Sequence, residues 1–145
     1  SKLLIGKKNF DLNKYPGHFL QGYVGVSQDK KSYRTGESIV IDTFLEREHI
    51  DHLHLLHSDI QGAEFFMLQS CVASIQNGKI DFFFISTHGE KIHAQCMQFF
   101  LQHDLEIIAE HTPSESYSCD GLIVAQRKGV RGAGTVTVAK VKNNI

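Results

Sequence analysis

The sequence predicts an α/β domain with a mostly parallel sheet that finishes in an antiparallel hairpin. Three observations carry this. From residue 52 onward the order reads strand, helix, strand, helix, strand, strand, the alternation that α/β folds produce. DFFFIS (81–86) is a continuous apolar run between turn signals, which suits a strand covered on both faces. The last two strands are joined by TPSESYSCD, too short for a helical crossover, so they should pair antiparallel. Right-handed crossovers then put helices on both faces of the sheet.

Residues 2–13, KLLIGKKNFDLN, read as the end of a helix with Leu3, Leu4 and Phe10 on its buried side, stopped by Tyr15-Pro16-Gly17. HFLQGYVGV (18–26) is strand-like. SQDKKSYRTGE (27–37) is a polar loop whose Lys30, Lys31 and Arg34 form a small solvated basic cluster. SIVIDTFLERE (38–48) is a short extended piece entering a helical turn, with Asp42 as its N-cap.

His52 to Leu56 is a strand, and DIQGAE leads from it into a helix from about 62 to 76. Ala63, Phe66, Met67, Ser70, Cys71 and Ile75 recur there near the helical period, and Asn77-Gly78 ends it. Glu90 to His103 is a second amphipathic helix with Ile92, Ala94, Cys96, Phe99 and Phe100 inward. LEIIAEH (105–111) and GLIVAQ (121–126) are the final strands. Residues 1–127 therefore form one domain. The tail, 128–145, is Gly-rich and then alternates, as a linker with a terminal strand or a disordered end would.

A length of 145 residues suits a single domain, and 41% hydrophobic content suffices for a core. The formal charge of −1 speaks against a general nucleic-acid binder or a polybasic membrane surface. No segment approaches the roughly 18 apolar residues of a membrane span, and SKLLIGKKNF lacks the apolar core of a signal peptide. Cys71, Cys96 and Cys119 are odd in number and lack zinc spacing, which reads as reduced thiols in the cytoplasm.

The chemistry concentrates in HSDIQGAE (57–64), where a strand gives way to a helix. In open α/β sheets, ligands sit beyond the carboxyl ends of the strands. Asp59 lies at such an end, as do Ser86, Thr87 and His88 of the next strand. If the strands are neighbours, these groups line one crevice. Gly62 permits a tight turn or close ligand approach, and Glu64 lies in the first helical turn, where the dipole favours a carboxylate. The plain structural alternative makes Asp59 a helix cap, Glu64 a first-turn acid and His57 a strand-end histidine.

DIQGAE preceded by LLHS resembles the D-[EVI]-[EQ]-G-x-E signature of FkbM-type S-adenosylmethionine-dependent methyltransferases. The likeness continues through FFFISTHGE, its following helix and the SYSCDGLIVA hairpin. Upstream, GKKNFDLN and FLQGYVG resemble a helix and the third strand of that family, so residues 2–127 are spanned. The resemblance implies a Rossmann-like doubly wound sheet in strand order 3-2-1-4-5-7-6 and methyl transfer from S-adenosylmethionine to an oxygen of a small molecule or sugar. It assigns Asp59, Gln61, Gly62 and Glu64 to the cofactor motif, and Thr87 and His88 to the turn that meets the acceptor. Gly22 and Tyr23, at the end of the third strand, would approach the adenine. The family's first strand, its glycine-rich loop and its ribose-binding acid have no counterpart here, so the chain reads as the C-terminal part of such a domain. The fourth strand is then left with a free edge, through which two copies could pair.

For hydroxyl methylation, Asp59 and His88 are the candidates for positioning or general base work, with His57 third. A metal reading competes for the same residues. His52, His54, His57 and Asp59 form HxHxxHxD, but in a strand the first two and the last two fall on opposite faces. His57, Asp59 and His88 remain as a three-ligand alternative, with the ion as Lewis acid. His18, His49, His93, His103 and His111 have no such spacing; His93 and Glu90 lie one turn apart, as a solvent-facing pair would. The rival to an enzyme is a non-catalytic binding or assembly module derived from a truncated fold.

Overall fold

The chain runs α1 (Lys2–Asn13), β1 (Gly22–Val24), β2 (Glu37–Ile39), α2 (Ile41–Arg47), β3 (Leu53–Ser58), α3 (Glu64–Gln69), α4 (Val72–Gln76), β4 (Ile80–Thr87), α5 (Glu90–Gln102), β5 (Leu105–His111) and β6 (Gly121–Arg127). The structure, a computed structural model, describes residues 2–25, 37–132 and 134–141. The basic cluster Lys30, Lys31, Arg34 and nearly all of the predicted polar loop lie outside them.

The protein is mixed α/β. β1 and β2 form a small parallel pair, and the main sheet has the order β3-β4-β6-β5. β3 pairs parallel with β4, whereas β6 runs antiparallel to both of its neighbours. Three of the four main strands thus share a direction, and the hairpin returns β6 between β4 and β5, as the short loop requires. β3 is an edge strand.

One face of the sheet carries the core. Leu56, Phe83, Ile85, Ile123 and Ala125 alternate inward along the strands and meet Met67, Leu68 and Cys71 with Cys96, Phe99 and Phe100 of α5. Phe83 and Phe100 are both fully buried, with ring centroids 5.3 Å apart. Burying each such ring contributes about 1.5–3 kcal/mol.

The expectation that β4 is covered on both faces fails. Its opposite face leaves Phe84 41% exposed and neighbouring Leu55 of β3 52% exposed. The reason is that α3 and α5 pack against the same face, through Phe65 and Phe99 at 6.4 Å.

Other expectations are corrected in detail. α1 is a helix, but Leu4 and Phe10 are exposed and its aromatic packing is local, Phe10 against Tyr15 and Phe19. Its apolar residues never gather into one stripe, so it has no face to bury. It ends at Lys14 in the left-handed region (φ 56), with Tyr15 N–H donating back to the Phe10 carbonyl at 3.0 Å. HFLQGYVGV yields only the three-residue β1.

The single helix predicted for 62–76 is two. Ser70 gives its carbonyl to the Asp42 N–H (2.9 Å), and its hydroxyl accepts from the Ile41 N–H (3.2 Å). The Asp42 carboxylate then accepts from the Ala73 (2.9 Å) and Ser74 (2.8 Å) N–H groups. Asp42 does cap a helix, but it caps α4 rather than its own, and α2 begins after Val40. Leu68 rather than Phe66 is buried on α3, and His93 rather than Ala94 on α5.

The tail forms no regular strand among its described residues. It still docks on β5. The β5–β6 register slips between Ile107 and Ala109, and the Ile108 carbonyl accepts from the Val136 N–H at 2.8 Å.

Candidate functional site

β3 and β4 end together, with Ser58 beside Ile85, so the residues that follow emerge at one rim. Gln61 (φ 56) and Gly62 (φ 97) both adopt left-handed backbone and turn the chain sharply into α3. The turn sets Glu64 beneath it, fully buried. Glu64 Oε1 accepts from the Gly62 N–H at 3.1 Å and lies 2.6 Å from His88 Nδ1.

His88 is the centre of the rim, its side chain 14% exposed. On its outer side Nε2 lies 2.9 Å from the Gln61 amide nitrogen, 3.2 Å from Asp59 Oδ1 and 3.5 Å from Asp120 Oδ1. With Gln61 in this orientation, Nε2 accepts and Nδ1–H donates to Glu64. The ring is thus held from behind by a buried carboxylate, and Nε2 faces the Gln61 amide and the two partly exposed acids. Among the described residues, Glu64 Oε2 and Ser58 Oγ are buried without a hydrogen-bond partner. Each such group costs about 1–3 kcal/mol when left unpaired.

Asp59, Gln61, Gly62, Glu64 and His88 come together as the sequence suggested. Of the structural alternatives for the acids, the Asp59 cap fails, since α3 starts from Ala63 with no side-chain cap, whereas Glu64 is indeed an acid of the first turn and in addition anchors His88. Four other candidates do not join them. Thr87 is fully buried and its hydroxyl meets His93 Nδ1 at 2.9 Å, because its position in β4 points to the core face. His57 points to the open face, where its ring sits edge-on to Phe84 with centroids 5.6 Å apart. The three-ligand alternative of His57, Asp59 and His88 is therefore broken. Gly22 and Tyr23 pair with Glu37 and Ser38 in the small sheet, so they belong to a different sheet from the rim.

Sequence reasoning missed Asp120, which the β5–β6 hairpin delivers from a distant stretch. It also missed a buried chain in which His93 Nε2 lies 3.0 Å from Glu110 Oε1 while Nδ1 faces Thr87. Glu90, expected to pair with His93, instead accepts from the Ser114 N–H at 2.8 Å. Gly121 closes on this chain so tightly that a Cβ there would stand 2.5 Å from Thr87 Oγ1. The network braces the strands under the rim.

The HxHxxHxD residues are split. His52 and His54 join Asp81 at the other end of the strands. Burial pushes the Cys71 and Cys96 thiols up to about 12, aided by Asp42 and Glu64 respectively, so neither is a nucleophile at neutral pH. A groove of about 700 Å³ between α3 and α5, lined by Phe65, Phe66, Gln95 and Phe99 among others, contains no rim residue and no convergent charge. No helix among the described residues is long and apolar enough to cross a membrane.

No family model, no curated protein and no solved structure matches the chain.

Proposed function

We propose that the rim serves methyl transfer from S-adenosylmethionine to a hydroxyl of a small molecule or sugar, in an FkbM-type methyltransferase. The observation that carries the reading is the meeting of Asp59 and His88, at 3.2 Å, beyond the carboxyl ends of two parallel strands. The strand order β3-β4-β6-β5, with β6 reversed, agrees with the last four strands of the family order 3-2-1-4-5-7-6. The reading extends the mixed α/β fold to a Rossmann-like, doubly wound domain in a cytoplasmic setting, in line with three free thiols.

The residues present suit the cationic part of the cofactor. Asp59, Asp120 and the unpaired oxygen of Glu64 favour positive charge, which S-adenosylmethionine carries on its sulfonium and ammonium groups. The glycine-rich loop that the family uses has no counterpart in this sequence. When bound, the cofactor supplies a methyl group already activated for displacement. The chain's part is positioning and proton removal. The acceptor hydroxyl gives its one proton to His88 Nε2 as the C–O bond forms and the methyl–sulfur bond breaks. Glu64 fixes the ring through Nδ1, and Asp59, 3.2 Å from Nε2, positions the ring and stabilises the imidazolium that results. General base assistance of this kind contributes about 10²–10⁴-fold.

Calorimetric titration of the chain with S-adenosylmethionine tests the reading. Saturable one-to-one heat is expected, weakened at least about tenfold in Asp59→Ala. No heat at millimolar ligand discards catalysis by this chain. The second reading, a non-catalytic assembly module, is favoured by the apolar open face at Leu55 and Phe84 beside the free edge of β3. Homodimers that bind no cofactor in sedimentation and calorimetry would establish it.

A further inference from the structure

We propose that His52, His54 and Asp81 form a site for a borderline divalent transition-metal ion of the Zn²⁺ class, at the amino ends of β3 and β4. Neither the methyltransferase reading nor the rim involves these residues.

Backbone geometry builds the site. His52 and His54 alternate onto one side of the chain as it enters β3. Asp81 lies across from His54, since Leu53 pairs with Ile80 and Leu55 with Phe82. Three ligand atoms converge as a result. His52 Nε2 is 2.8 Å from Asp81 Oδ2 and 3.0 Å from His54 Nδ1, and His54 Nδ1 is 3.4 Å from Asp81 Oδ2. Metal–ligand bonds of about 2.0–2.1 Å set neighbouring ligands about 2.9 Å apart in octahedral and about 3.3 Å apart in tetrahedral geometry. The observed separations bracket those values. Hydrogen bonds alone direct a proton well along at most two of the three close pairs, whereas one cation serves all three atoms.

The surroundings fit an ion as well. Asp81 Oδ1 is engaged by Arg127 Nη2 at 2.8 Å, which aims Oδ2 at the histidines as an outer partner aims a ligand. The Asp81 side chain is only 12% exposed, whereas that of His54 is 88% exposed, so the site has a fixed floor and an open mouth. Two imidazoles and one carboxylate select Zn²⁺, Ni²⁺ or Cu²⁺ over Mg²⁺ or Ca²⁺. Three protein ligands leave a position for water. The bound ion would clamp the edge strand β3 to β4.

The test titrates Zn²⁺ into the chelator-stripped, tag-free chain and follows Co²⁺ absorption in parallel. One ion per chain is expected, with the visible bands of a low-coordinate Co²⁺ site and a rise in melting temperature. His54→Ala should weaken binding at least about tenfold. His57→Ala, on the same strand but outside the cluster, should leave affinity unchanged. Asp81→Asn also removes the Arg127 ion pair, so the exposed His54→Ala and the His52→Ala/His54→Ala pair decide. Absence of one-to-one binding in the unmodified chain overturns the proposal, as does equal affinity in the double variant.

Discussion

At one end of the β3–β4 pair a histidine is enclosed by carboxylates; at the other a carboxylate is enclosed by histidines and an arginine. His88 has acceptors on both sides, Glu64 behind and Asp59 with Asp120 in front, while Gln61 donates to the same outer nitrogen. It keeps a hydrogen-bond partner on each nitrogen whether its outer nitrogen holds a proton or not. Asp81 has no such freedom. The Arg127 guanidinium holds its carboxyl below the usual carboxylate range, against the opposing effect of burial and with help from His52 and His54. The same residue types therefore yield a histidine with acceptors on two sides at one end and a carboxylate held as an anion at the other. What decides is which partner is buried and whether a permanent cation stands beside it.

The largest effect should come from the rim. His88→Gln keeps a donor for Glu64 but loses the basic ring nitrogen. Release of S-adenosylhomocysteine over a panel of monosaccharides and small alcohols should fall by about 10²–10⁴-fold. Turnover equal to that of the unmodified chain would erase the functional contrast between the two ends.

The second effect concerns stability at the opposite end. Asp81→Asn removes a charged hydrogen bond to Arg127, and the side chain of that arginine is 38% exposed. Allowing for solvent screening, the loss at neutral pH should be about 1–2 kcal/mol. The sign with pH follows from the depressed folded value. The contribution is complete above the unfolded carboxylate range near pH 4 and is lost as pH falls through the lower folded value. Urea midpoints of the two proteins should therefore differ at pH 7 and converge as the pH falls below about 4. A gap that persists into strong acid would show that Asp81 is not held as an anion.

How much of this was legible depends on the range over which each feature is decided. Strands from β3 onward follow from local signals: the apolar run DFFFIS (81–86), the Asn77-Gly78 stop and the short link before β6. The Asp59–His88 meeting was accessible because parallel neighbours end at one rim. The break between α3 and α4 was not, since it is imposed by Ser70 and by Asp42, about thirty residues away. Thr87 was misread because alternation along β4 turns it to the core while the next residue leaves the strand. The His52–His54–Asp81 convergence needs the β3–β4 register, which no local pattern specifies. The half-open sheet escaped notice because a run such as FFF reads the same whether one face or two are covered.

The smallest effect sharpens the comparison most. Asp81 has both carboxylate oxygens engaged, and the unpaired buried atom at its end is a donor, Arg127 Nε, whereas at the rim the oxygens Glu64 Oε2 and Ser58 Oγ are buried and unpaired among the described residues. If the rim keeps those atoms for a ligand, removing one should cost the fold nothing. Ser58→Ala deletes a desolvated hydroxyl with no partner, so stability should stay within about 0.5 kcal/mol or rise slightly. Ser74→Ala gives the scale: its hydroxyl donates to Asp42 Oδ1, and its loss should cost about 1 kcal/mol. Binding of S-adenosylmethionine should weaken in Ser58→Ala although the fold does not. A stability loss as large as that of Ser74→Ala would mean that the Ser58 hydroxyl is already satisfied within the fold. The rim would then differ from the Asp81 end in charge alone, with no polar group held in reserve.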